Sequence, residues 1–182
     1  IETVQSIFSL LAETRPRGPV VLEARTAHGQ VHYFLGCNSH HIGRVKGCFT
    51  RLARVRVKEA TLNARQPVTD ARQLRISKPN LALNVDLSES VLRASLAALA
   101  TVPKTETAVV QIILGAAYRP SNVPKQIEDP NTTWMDRVLG QVREASVETL
   151  KSMREKASQY SFDAVLRVGA SGEYAHYYIS SI

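Results

Sequence analysis

The clearest pattern in the chain is a helical stripe followed by an apolar run. The stripe has helical spacing and contains Leu92, Leu96, Leu99 and Ala100. Pro103 ends this helix, because a proline nitrogen cannot donate a hydrogen bond. Ala108 to Leu114 then forms an almost unbroken apolar run, and Gln111 is its single polar residue. The pattern predicts a helix over 88–101, a buried strand after it, and a layered core of helix on sheet.

The first 60 residues predict five elements. Apolar residues at helical spacing indicate helices over 2–13 and 39–53. Runs of strand type, two of them joined by a turn containing Gly29, indicate strands over 20–25, 31–37 and 55–59. The order α-β-β-α-β is the ferredoxin-like βαββαβ pattern without its first strand.

The rest of the chain predicts a similar order. Short strands at 74–77 and 81–85 flank a turn, and the helix over 88–101 and its strand follow. A Pro-rich loop over 119–133 leads to a long helix over 134–158, a strand over 162–169 and a helix that begins near Ser171.

These elements predict an α+β fold of two ferredoxin-like (βαββαβ-type) halves, with antiparallel sheets covered by helices. The predicted domains are a first half over 1–60, a connector with a short strand over 61–80, and a second half over 81–182. The chain begins with Ile1 rather than Met, which predicts a piece of a longer protein, and its last helix is expected to be cut short by the chain end.

Charge is uneven along the chain, whose net charge is +7. Residues 1–79 carry 13 Lys and Arg against 5 Asp and Glu, whereas 80–182 carry 10 against 11. A basic half can contact nucleic acid or a membrane surface, or it can simply solubilise the domain. No run reaches the roughly 20 apolar residues that a membrane span needs, so no transmembrane segment is expected.

Two cysteines, Cys37 and Cys48, are too few for a disulfide framework and indicate buried thiols in a reducing compartment. His40 and His41 lie between them and invite a metal site, but Cys37 ends a strand and Cys48 lies within a helix. The two histidines occupy the first turn of that helix. They could be a plain exposed pair or could meet a phosphate.

No catalytic motif is found in the sequence. The P-loop, the dinucleotide-binding glycine pattern, H-E-x-x-H and G-x-S-x-G are all absent. We therefore expect no catalytic residue, no cofactor and no metal ligand in this chain.

The segment from Leu96 to Pro120 resembles the N-terminal regions of conjugation and type IV secretion ATPases, especially those of actinobacteria. There a helix of the form L-x-x-L-a precedes a strand similar to V-V-Q-x-x-L-G and a Pro-rich linker. The matching residues are Leu96, Leu99, Ala100, Val109, Val110, Gln111, Leu114, Gly115 and Pro120. The stretch from Phe162 to Ala170 also resembles that family, and the likeness covers roughly 86–182.

The resemblance implies a non-catalytic accessory or assembly domain of a conjugative DNA-transfer ATPase whose ATP-binding motor lies outside this chain. Its implied partners are other secretion-system proteins, the ring of the parent ATPase, and DNA. Its implied location is the cytoplasm, at the inner face of the membrane through the parent protein. The matched positions have the pattern of a core, so no functional residue can be transferred.

An alternative is a freestanding nucleic-acid-binding module of ferredoxin-like type, in which exposed aromatic residues would stack on bases. The strands are poor in aromatic residues, which weakens this alternative. In either case we expect DNA contact to be weak and insensitive to sequence. The basic residues expected to make it are Arg44, Lys46, Arg51, Arg54, Arg56 and Lys58.

Overall fold

The computed structural model describes residues 2–14, 17–52, 55–60, 65, 67–74, 88–124 and 127–182. The described helices are α1 (Glu2–Thr14), α2 (Ile42–Leu52), α3 (Ser88–Ala100), α4 (Trp134–Val138), α5 (Val147–Ala157) and α6 (Ala175–Ser181), with a short 3-10 helix at Ser39–His41. The described strands are β1 (Val20–Ala27), β2 (Gln30–Gly36), β3 (Asp70–Leu74), β4 (Thr107–Tyr118) and β5 (Ser161–Ser171).

The five described strands form one antiparallel sheet in the order β2-β1-β4-β5-β3. β1 pairs with β2 through a tight turn, and on its other side it pairs with β4, so that Glu23 lies opposite Gln111. β3 pairs with β5. Gly115, late in β4, lies against Asp163, early in β5, whereas Val109, early in β4, lies against Gly169, late in β5. These contacts show that β4 and β5 run antiparallel.

The predicted α+β class, with an antiparallel sheet covered by helices, is confirmed. Strands from both predicted halves lie side by side in the same sheet. The described residues form two compact units, one within 1–75, 88–117 and 162–182 and the other within 118–161. The first unit contains the sheet with α1, α2, α3 and α6, and the second contains α4 and α5. The predicted domain boundaries remain a prediction.

One face of the sheet carries two apolar clusters. Residues of α3 and α6 pack at one end, where Leu99, Ala108, Val168 and Ile179 are buried. Residues of α1 and α2 pack at the other end, where Leu11, Val20, Val45 and Leu114 are buried. These side chains alternate along β1, β4 and β5 with residues of the opposite face, as the two-residue period of a strand requires.

The opposite face of the sheet is crossed by residues that precede β3. Val68 approaches Gly169 so closely that a Cβ there would lie 3.1 Å from Val68 Cγ2. Thr69 N–H donates to the Ala170 carbonyl at 3.1 Å, which fixes the entry into β3. Arg65 reaches Glu23 from the same segment.

The prediction of one helix over 134–158 is wrong. α4 ends at Val138, Gly140 adopts a left-handed conformation with φ +67°, and α5 begins at Val147. The intervening residues pair with an earlier segment, since Asp129 N–H donates to the Arg143 carbonyl at 2.9 Å and Ala145 N–H to the Ile127 carbonyl at 2.9 Å. A long-range backbone pairing therefore replaces helical hydrogen bonds that the periodicity favoured.

The predicted strand over 55–59 is also wrong, because these residues have no strand pairing in the described sheet. A strand not predicted from the sequence, β3, lies at Asp70–Leu74. Of the predicted strand over 74–77 only Leu74 is described, as the last residue of β3. Residues 75–87, which include the predicted strand over 81–85, lie outside the described residues. The helix predicted over 39–53 is a 3-10 turn followed by α2.

The helix–strand unit α3–β4 is less buried than its pattern suggested. Leu99 is 1% exposed, but Leu92 on the same helix is 60% exposed and Ile112 on β4 is 39% exposed. Val110 packs with one apolar cluster and Leu114 belongs to the other, so Ile112 lies between the two. The expectation that Leu92 and Ile112 belong to the core is wrong.

Candidate nucleic-acid interface

The start of α2 is fixed by Asn38 and His41. Asn38 Oδ1 accepts a 3.1 Å hydrogen bond from the His40 backbone N–H, which caps the 3-10 turn that leads into the helix. His41 Nε2 accepts a 2.9 Å hydrogen bond from the Arg17 backbone N–H. His41 thus ties the helix start to the loop before β1, while His40 remains exposed.

Helix α2 has an apolar face, and its three cations lie away from that face. Val45 and Cys48 are buried and Phe49 is half-buried in the cluster shared with α1. A rotation of about 100° per residue places the charged residues away from that face. Arg44, Lys46 and Arg51 are all exposed, as the sequence predicted.

The segment after α2 adds two further exposed cations. Arg56 and Lys58 are exposed on either side of the half-buried Val57. Their alternation follows the predicted pattern, although no strand forms there. Arg54, the sixth predicted cation, lies outside the described residues.

This region is free of negative charge over a long stretch of sequence. Residues 24–58 contain no Asp or Glu, but they contain seven Lys and Arg residues. Glu23 lies just before the stretch, and its carboxylate is buried in hydrogen bonds rather than exposed. We call the exposed residues Arg44, Lys46, Arg51, Arg56 and Lys58 the basic surface.

A second cluster, absent from the sequence prediction, lies beneath the segment that crosses the sheet. Glu23 and Arg25 are each 5% exposed, and Arg25 Nε donates to Glu23 Oε1 at 2.8 Å. Arg65 Nη2 donates to Glu23 Oε2 at 2.7 Å, and Gln111 Nε2 donates to the same oxygen at 2.8 Å. The sequence contains a pattern that could have indicated this cluster, because Glu23 and Arg25 interrupt one apolar strand and Gln111 interrupts another.

The electrostatics of this cluster favour a charged Glu23. Burial alone would raise the pKa of Glu23, but hydrogen bonds from Arg25 and Gln111 and the charges of Arg25 and Arg65 lower it below the usual range. Both oxygens of the Glu23 carboxylate already accept hydrogen bonds, Oε1 from Arg25 and Oε2 from Arg65 and Gln111. We interpret the cluster as a structural clamp that holds the crossing segment.

The two cysteines have the character of packed thiols. Cys48 is buried, Cys37 is half-buried, and burial raises the pKa of both thiols. A raised pKa disfavours the thiolate that a nucleophile or a metal ligand requires. Among the described residues, no group of three or more His, Cys, Asp or Glu is placed to hold a metal ion.

No described helix combines the length and hydropathy of a membrane span. Comparisons with protein-family models, with curated proteins and with solved structures gave no match. The function of this chain must therefore be inferred from its own residues and their geometry.

Proposed function

We propose that this chain is a non-catalytic domain that binds the backbone of nucleic acid through its basic surface. The observation that carries this proposal is the exposure of Arg44, Lys46, Arg51, Arg56 and Lys58 within a stretch that has no carboxylate. Cations of such a surface keep their charge available for phosphate, because the nearest exposed carboxylate in the sequence around them, that of Glu59, lies at the end of the stretch beside Lys58. Guanidinium and ammonium groups supply the donors that phosphate oxygens accept.

The expected binding is insensitive to base sequence. Contacts from Lys and Arg to phosphates position a protein on nucleic acid but do not read the bases. Each contacted phosphate releases condensed counterions, so affinity should fall steeply as salt rises. This is the behaviour of a protein that handles DNA of any sequence.

The experiment compares two variants of equal net charge. One replaces Arg44, Lys46 and Arg51 by Gln, and the matched control replaces three exposed cations of the second unit, Arg119, Lys151 and Arg154, by Gln. Fluorescence anisotropy with labelled oligonucleotides between 50 and 200 mM salt gives the affinity and its salt slope. We expect the slope of log affinity against log salt to fall by about 0.7–0.9 for each lost phosphate contact in the first variant only.

Two results would contradict the proposal. Absence of binding to any oligonucleotide at 50 mM salt would leave the basic surface as solubilising charge. Equal losses in both triple variants would show that overall charge, and not this surface, attracts the nucleic acid.

We further propose that this binding serves an accessory or assembly role beside a conjugative DNA-transfer ATPase in the cytoplasm. The support is the resemblance of 96–120 and 162–170 to that family, together with the basic surface. Replacing the genomic copy by the Arg44, Lys46 and Arg51 triple Gln variant tests this role in a conjugation assay. We expect this variant to reduce plasmid transfer. A second strain, in which the gene for the whole chain is deleted, would refute the proposed role if its plasmid transfer were normal.

A further inference from the structure

Tyr33 is the most exposed aromatic residue of the described strands, at 72%. It lies on β2, at one edge of the described sheet. Its cross-strand partner on β1 is Ala24, whose methyl group is too small to cover a ring. The other strand aromatics of the sheet unit are less accessible. Phe34 is half-buried, and Phe162 packs edge-to-face on Phe8 with ring centroids 6.1 Å apart.

Tyr33 lies on the face of the sheet against which α2 packs. Leu35 is two residues further along β2, about 7 Å away on the same sheet face. Leu35 packs against the apolar cluster to which α2 contributes Val45 and Cys48. The exposed ring and the cations of α2 therefore belong to one side of the sheet and to one stretch without carboxylates.

We infer that the basic surface binds single-stranded nucleic acid in preference to duplex, with an unpaired base stacked on Tyr33. This inference rests on the proposed function and names its substrate class. An aromatic platform beside cations can hold a base and the phosphates that follow it, and stacking tolerates any base because every base has a π-face. In a duplex the base faces are already stacked on one another, so the ring of Tyr33 contributes nothing there.

The test measures affinities of the full chain for a labelled dT oligonucleotide and for a duplex of equal length at 50 mM salt. Tyr33→Ala should weaken binding of the single strand by roughly 5- to 150-fold, the range given by one stacked base. Binding of the duplex should stay unchanged, and Tyr33→Phe should retain the single-strand affinity. Tyr174→Ala is the matched control, since Tyr174 is also exposed but lies beside Glu173, outside the basic surface.

The outcomes separate the inference from the proposed function. Equal affinity for both nucleic acids, or unchanged single-strand binding by Tyr33→Ala, would overturn the inference and leave the basic surface as a duplex or general polyanion site. Absence of binding to either nucleic acid would overturn both. Because the ring is exposed, Tyr33→Ala should melt within a few degrees of the unaltered chain, and a native near-UV spectrum ensures that loss of binding is not loss of fold.

Discussion

Glu23 and Gln111 lie directly opposite each other on β1 and β4, and the Gln111 amide donates a 2.8 Å hydrogen bond to the Glu23 carboxylate. This pair joins two strands that are 88 residues apart in sequence. Arg25 and Arg65 complete the hydrogen bonding of the same carboxylate. The polar residues that interrupt two apolar strands are thus partners in the folded protein.

Glu23→Ala should lower the free energy of unfolding by about 3–5 kcal/mol, because it removes the buried carboxylate with which the buried Arg25 guanidinium forms an ion pair. Arg65→Ala is the matched control. Arg65 is half exposed, and Arg25 and Gln111 would still hold the carboxylate, so a loss of only about 1 kcal/mol is expected. Urea unfolding at pH 7 measures both. Equal losses in the two variants would show that the clamp is not centred on Glu23.

The stability of the protein should depend on the charge of Glu23 at acid pH. Its pKa is lower in the folded chain than the usual value of about 4.3, so the folded state favours the ionised form. The resulting stabilisation is complete above the unfolded pKa and is lost as pH falls through the lower, folded pKa. In urea unfolding from pH 6 to pH 2, the difference between the unaltered chain and Glu23→Gln should shrink below about pH 4. A constant difference would contradict this linkage.

Leu99→Ala should destabilise the protein by about 2–5 kcal/mol, since Leu99 is fully buried between the sheet and α6. Leu92→Ala on the same helix should cost less than about 1 kcal/mol, because its side chain is mostly exposed and alanine has the higher helix propensity. Thermal and urea unfolding of the two variants make the comparison. A Leu92 variant as unstable as the Leu99 variant would mean that α3 buries a wider face than the structure places there.

Gly47→Ala should stabilise the protein by about 0.5–1 kcal/mol. Gly47 lies in the middle of α2, where glycine loses more conformational entropy than alanine on folding. A Cβ at this position would meet no atom within 4 Å, so no steric cost opposes the gain. Gly172→Ala provides the contrast, because its φ is +109° and its Cβ would overlap the Glu106 side chain. Destabilisation by Gly47→Ala in urea unfolding would contradict the described conformation of α2.

Local patterns by themselves determined the elements that depend on nearby residues. Periodicity and turn residues such as Gly29 account for the hairpin of β1 and β2, the helices α1 and α3, the strands β4 and β5 and the presence of a last helix. That helix begins at Ala175 rather than near Ser171, because Ser171 still belongs to β5. The exposure of the predicted cations also followed from their chemistry, since Lys and Arg are rarely buried without a partner.

Only the tertiary structure decided which segments became neighbours. Periodicity reports which faces of an element are apolar, but not what lies opposite them, so it could not separate the buried Leu99 from the exposed Leu92. Backbone pairing of 127–129 with 143–145 interrupts a segment whose pattern is helical. The segment 55–59 has the alternation of a strand but no strand partner among the described residues. The same holds for Tyr33, because the sheet register places the small Ala24 opposite it on β1 and its ring stays exposed.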